Sequence, residues 1–278
     1  AAVAGCGVFG VGTFSRHASV SNNKADMGGG IAAFNDAIFL EDTVTINSNI
    51  ATTSGAGIWL NNCTLYGHSS FQISNNTIPA ITGTTNFGGA IYNVNGTILI
   101  NGGAIIGNKS PVATIYNTSS TTGKQVKIFA THIYNPKADG NRMTEVFNSP
   151  SLTSSIIVFE SDSCYWGSND TSKLVANKPG TFSGAIGSFV KLTWLLNNGL
   201  PVDTLASGFP LSADFRMNDG SKIDSLRLRT ITGHFSASNG SFSPTISSID
   251  TDNYVRSLYI APAANDSIMV MAYVDADT

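Results

Sequence analysis

The chain has 278 residues, of which 42% are hydrophobic and only 12% charged, and its net charge is −3. Lys and Arg are scattered singly, so no basic stripe exists to neutralise phosphates, and nucleic acid is not expected as a partner. No run of about 18 apolar residues is present, so no segment reads as membrane-spanning.

Ser, Thr, Asn and Gly stand where charges usually would, and the apolar content is too high for a disordered chain. The first residues, Ala1 to Gly5, carry neither an initiator Met nor a charged leader, which reads as a processed or excised piece of a longer protein. From there one pattern recurs: an apolar residue, a short Ser/Asn stretch ending in Asn, and a Gly-rich turn into another apolar residue. Val20 to Asn23 leads to Gly28-Gly29-Gly30-Ile31, Ile46 to Asn49 to Gly55-Ala56-Gly57-Ile58, and Ile73 to Asn76 to Gly88-Gly89-Ala90-Ile91. Ile106-Gly107-Asn108 follows, with a degenerate partner at Thr114 to Asn117. The leading apolar residues advance by 26, 27 and 33 positions. A period in that range is the signature of a solenoid, whose repeats bury their apolar faces only against one another.

Short strands are predicted at 37–40, 44–46, 57–60, 71–73, 97–100, 126–129 and 156–159, each bounded by Gly, Asn or Ser. No window has the period of an amphipathic helix. Strands this short are stable only when stacked. The recurrent Asn then bonds from rung to rung, and Gly supplies left-handed corners. A right-handed parallel β-helix accounts for all of this. β-Propeller blades need roughly 40–45 residues each and do not fit. Ile31, Ile58, Ile91 and Ile115 are expected to form one inward ladder, and Ile46, Ile73 and Ile106 another.

Between about 176 and 189 the pattern changes. The stretch from Asn177 to Thr181 reads as the start of a linker, and period-two strands follow at 190–194, 211–217, 226–228, 254–260 and 268–274. Such alternation over about 90 residues suits a two-sheet sandwich. The chain therefore divides into a β-helix over 1–176 and an Ig-like β-sandwich over 186–278.

Few residues have the spacing that chemistry needs. Cys6, Cys63 and Cys164 form no CxxC and read as small apolar residues. His17, His68, His132 and His234 lack metal-ligand spacing and read as surface or turn residues, so no metal or cofactor is expected. Among the solenoid carboxylates, Glu160 and Asp162 share a strand face and make the best candidate pair for glycosidic chemistry, against a reading as solvated surface. Trp59, Tyr92 and Tyr116 follow the turn at similar offsets, so they form either a platform for sugar rings or a packing ladder. Trp166 reads as a cap over the last rung, with Tyr165 beside it, and Trp194 as sandwich core. Asn-x-Ser/Thr sequons at Asn62, Asn75, Asn95, Asn108, Asn117, Asn169, Asn239 and Asn265 are what an Asn-rich chain yields by chance.

The Gly-Gly-x-Ile and apolar-x-x-Asn units resemble those of bacterial and archaeal surface β-helix proteins, such as the polymorphic outer-membrane proteins and the adhesin-like proteins of methanogens. Cys164 to Asn169 is similar to the Asn-Trp-Trp-Gly-Ser-Asn segment that closes such helices, with Cys and Tyr replacing its first two residues. The stretch from Gly233 to Pro262 resembles the Ig-like modules of invasin-type adhesins, with Asp250 to Tyr254 in the place of their Asp-x-x-Gly turn but without its Gly. The resemblance implies an extracellular, cell-surface adhesin or stalk without catalytic activity. Its partner would be a host or neighbouring-cell surface glycan or protein, or copies of itself. A β-helix carbohydrate-active enzyme (a lyase or glycoside hydrolase) and a self-assembling fibre subunit are the alternatives.

Overall fold

The computed structural model describes residues 6–9, 12–79, 87–135, 144–149, 157–167, 175–177, 182–196, 209–223, 228, 230–260 and 269–275. Among these residues every regular element is a strand, and no helix is long and apolar enough to cross a membrane.

The first part is a parallel β-solenoid. Cys6–Phe9, Ile31–Phe34, Ile58–Asn61, Ile91–Val94, Ala113–Thr118, Thr144–Asn148 and Val175–Asn177 lie side by side in one seven-stranded sheet. A second sheet stacks Gly12–Phe14, Ala37–Leu40, Thr64–Ser74, Thr97–Ile106, Lys124–Phe129, Ile157–Asp162 and Phe182–Ile186. Each strand is too short to hold alone, and each takes its backbone partners from the rungs on either side.

Register stacks like residues. Ile31, Ile58, Ile91 and Ile115 are direct neighbours, continued by Val146 and Val175. All four isoleucines are fully buried. The second ladder runs Val20, Ile46, Ile73, Ile105 and Ile133, which corrects the expectation for Ile106. That residue pairs with Ser74 and is half-buried. Ile73 stands three residues before its corner Asn76, and Ile105 stands three before Asn108, whereas Ile106 stands only two before it.

Where the core would have a gap, one aromatic fills it. The ring of Phe71 is fully buried, and a Cβ on Gly67 or Gly103 would lie 2.7 Å from it. Those two glycines are the room the ring needs.

The stretch between the two expected units contributes another solenoid strand, since Phe182–Ile186 pairs in parallel with Ile157–Asp162. The pairing turns antiparallel at Val190. Val190–Leu196, Phe209–Met217, Tyr254–Ile260 and Ser241–Ser243 form a four-stranded sheet, and Ile246–Ser248, Thr232–Ala237 and Val270–Tyr273 a three-stranded one. Their inward residues, among them Leu211, Ala213, Phe215, Phe235, Phe242, Val255 and Tyr259, make a second core. Strict alternation along Tyr254–Ile260 marks a strand with one wet face.

Candidate functional site

The corner asparagines build a continuous buried column. The backbone N–H and the Nδ2 of Asn49 both donate to Oδ1 of Asn76, at 3.0 and 2.9 Å. Asn23 does the same to Asn49, Asn76 to Asn108, and Asn108 to Asn135. The second Nδ2 hydrogen of Asn49, Asn76, Asn108 and Asn135 goes to a main-chain carbonyl, of Val20, Ile46, Ile73 and Ile105 respectively, each at 2.9 Å. These side chains therefore use both donors and load their oxygen with two bonds, as buried amides must.

Such a column has a direction, and its last member needs an acceptor for two donors. Glu145 supplies it. Its Oε1 takes the Asn135 N–H at 2.9 Å and its Oε2 takes Nδ2 at 2.8 Å. The carboxylate is fully buried, and charge-assisted bonds of this kind are the stronger ones. Reading the residue before each Ile31-type position along the chain gives Gly30, Gly57, Ala90, Thr114 and Glu145. A Cβ on Gly30 would come within 2.9 Å of Asn49 Nδ2, and one on Gly57 within 3.2 Å of Asn76 Nδ2. The position stays small beside the column and becomes a long acid where the column ends. A second amide column joins Asn93, Asn117 and Asn148, with Nδ2 donating to the next Oδ1 at 3.3 and 3.0 Å.

Glu160 and Asp162 do share the outer face of their strand. Glu160 is met there by Lys127 from the neighbouring rung, Nζ to Oε2 at 3.1 Å, while Asp162 Oδ1 accepts the Ser163 N–H at 2.8 Å. Asp162 also lines an open groove with Ser163, Ser188, Asp219 and Lys222 between the solenoid and the sandwich. Glu160 is not among the residues lining that groove.

Trp59, Tyr92 and Tyr116 are in register on the outside of the seven-stranded sheet, and Phe147 continues the line. Tyr116 lies 5.6 Å from Tyr92 and 5.2 Å from Phe147, both pairs stacked. Phe87 packs at 4.2 Å against Tyr116, and Phe34 at 4.7 Å against Trp59. Trp59 and Tyr116 are consequently buried, and burial, with Tyr116 adding to it, raises the Tyr92 phenol above its ordinary value. Ring faces occupied by other rings leave edges and hydroxyls, rather than faces, for a ligand.

His132 departs from the surface reading. It is buried, with Nε2 2.6 Å from Asp275 Oδ2 and Nδ1 2.9 Å from Thr230 Oγ1. The order hydroxyl, imidazole, carboxylate is that of a nucleophile relay, and here the imidazole is enclosed between the solenoid and the sandwich. Neither partner is within ninety residues in sequence, so spacing gave no sign of it. His17 meets Thr43, and His234 stacks on Tyr273.

Cys63 and Cys164 are free and buried, and burial pushes the Cys164 thiol up to about 12. Cys6, Asn169 and Asn265 have no described side chain, and Asn108 and Asn117 are sealed inside the amide columns. Trp166 sits in the solenoid core while its neighbour Tyr165 belongs to the sandwich core. Among the described residues no three His, Cys, Asp or Glu side chains gather as a metal site would need. Comparison with protein-family models, with curated proteins and with solved structures returned no match.

Proposed function

We propose that the chain is a non-catalytic segment of a secreted or cell-surface protein, adhesin-like or stalk-like, that makes weak repeated contacts along its solenoid. In this reading the solenoid is a right-handed β-helix and the C-terminal sandwich an Ig-like module. The partner is a surface glycan or protein of a host or neighbouring cell.

One observation carries the reading: the side chains with chemical capacity are engaged in holding rungs together. Asparagine bonds to asparagine, ring stacks on ring, and Glu160 pairs with Lys127. What the solenoid turns outward is a weakly charged surface of hydroxyls and amides repeating at rung spacing, about 4.8 Å. A periodic surface suits multivalent attachment, in which linked weak sites raise avidity without any single strong contact.

The test is a glycan-array and surface-protein binding screen of the whole chain, run beside a reducing-end assay on the same polysaccharides. Binding that strengthens with ligand length, without release of new ends, is the expected outcome. Turnover abolished by Glu160→Gln would establish the carbohydrate-active alternative instead. Ordered filaments without ligand binding would establish the fibre.

A further inference from the structure

The solenoid and the sandwich meet around one buried histidine. His132 comes from the solenoid strand His132–Tyr134 and is 2% exposed. Both ring nitrogens reach the sandwich part of the chain, Nε2 to Asp275 Oδ2 at 2.6 Å and Nδ1 to Thr230 Oγ1 at 2.9 Å. The imidazole lies 5.4 Å from Tyr165, whose ring stands edge-on to Phe215 of the second core, also at 5.4 Å. Backbone bonds close the seam: Val190 N–H donates to Cys164 O at 2.9 Å, and Asn218 N–H to Phe189 O at 2.8 Å.

We propose that Thr230, His132 and Asp275 form a lock that holds the sandwich in one orientation on the end of the solenoid, as a fixed cap rather than a swinging spacer. Partners on opposite nitrogens fix the plane of the ring as well as its position, because hydrogen bonds weaken steeply off-axis. Removing one partner leaves a buried ring nitrogen of His132 without its hydrogen bond, which is costly. Swinging away would also expose the fully buried Tyr165, so the polar and apolar contacts must break together. This makes undocking cooperative. The inference is independent of the proposed ligand, because it concerns how the chain presents its surface and not what binds it.

Amide hydrogen exchange on the full chain tests it, comparing Asp275→Asn and Thr230→Val with the parent. The junction amides of Val190 and Asn218 are donors in backbone bonds at the seam, and those of Ile58 and Ile91 report the solenoid interior. With Asp275→Asn, exchange at the two junction amides should rise about tenfold while the interior amides stay unchanged, the mark of a local opening. Thr230→Val, which removes one hydroxyl and keeps the shape, should raise the same two by a smaller factor. Unchanged junction exchange in both variants overturns the lock, as does an equal rise throughout the chain. If Asp275→Asn fails to fold, the Thr230→Val pattern decides alone.

Discussion

The solenoid and the sandwich solve the same burial problem with opposite use of polar groups. In the solenoid, parallel rungs free backbone and amide groups at every corner, and the chain returns them to one another through Asn columns that run inside the core. In the sandwich, antiparallel strands satisfy their own backbone and need no such column, so polarity alternates across each strand. The consequence is visible outside. Ile246, Leu258, Ile260, Met269, Met271 and Tyr273 are exposed large hydrophobics of the sandwich, against Met27 and Ile50 in the described solenoid. Stability in the first region needs polar satisfaction as well as apolar packing, and in the second it rests on apolar packing.

The sharpest way to break that contrast is to remove one asparagine from each region. Asn76→Ala orphans the two Asn49 donors and leaves the Ile46 carbonyl without its partner, all buried. At roughly 1–3 kcal/mol for each of the two orphaned donors, the loss should be about 2–6 kcal/mol. Asn239→Ala removes an exposed turn side chain that only bonds the Gly240 amide, and should stay within about 1 kcal/mol. Urea unfolding of both variants measures the difference. Equal losses would mean that the column contributes nothing beyond an ordinary turn.

A second pair sharpens the apolar side. Ile58→Ala empties a fully buried ladder position with Ile31 and Ile91 on either side, and should cost about 2–5 kcal/mol. Ile246→Ala trims a residue 57% exposed on the sandwich, and should fall within about 0.5 kcal/mol. Thermal melts of the two would refute the assignment of the ladder if Ile58→Ala proved as mild as Ile246→Ala.

The rung plan was legible because each rung repeats the same local chemistry: a left-handed corner taken by Asn or Gly, then an apolar residue. Gly28, Gly55 and Gly88 all have positive φ, as do Asn22 and Asn75, and a sequence records such needs directly. What breaks the repeat was not legible. Ile105 takes the place of Ile106 because its rung is one residue shorter than its neighbour: only Gly103 stands opposite Ser70 and Phe71. Nothing in the spacing singled out Glu145, and its role emerges only when the strand register sets it beside Asn135. His132, Thr230 and Asp275 are brought together by tertiary docking, with no periodicity to announce them. For the aromatic face, the spacing of Trp59, Tyr92 and Tyr116 showed that they align but not that Phe34 and Phe87 would close over them.

The smallest expected effect separates the two regions by pH. Cys164 lies at the solenoid end of the junction, its thiol directed at the carbonyls of Ile128 and Asp162 at 3.3 and 3.4 Å. Burial raises its pKa from 9.0 to about 12, because a thiolate there would lose its hydration. In the unfolded chain the thiol ionises above 9, whereas the folded chain holds the proton until about 12. Ionisation therefore favours unfolding. The stability owed to the protonated thiol is complete below pH 9 and drains away as pH rises toward 12. At pH 10 the loss should be about 1 kcal/mol, one unit above the unfolded value. Cys164→Ala removes that contribution, so its stability should fall less steeply between pH 8 and 10.5 than that of the parent chain, with tyrosines and lysines common to both cancelling in the difference. Parallel curves would show that water reaches this thiol in the folded state, and hence that the seam between solenoid and sandwich stands open at Cys164.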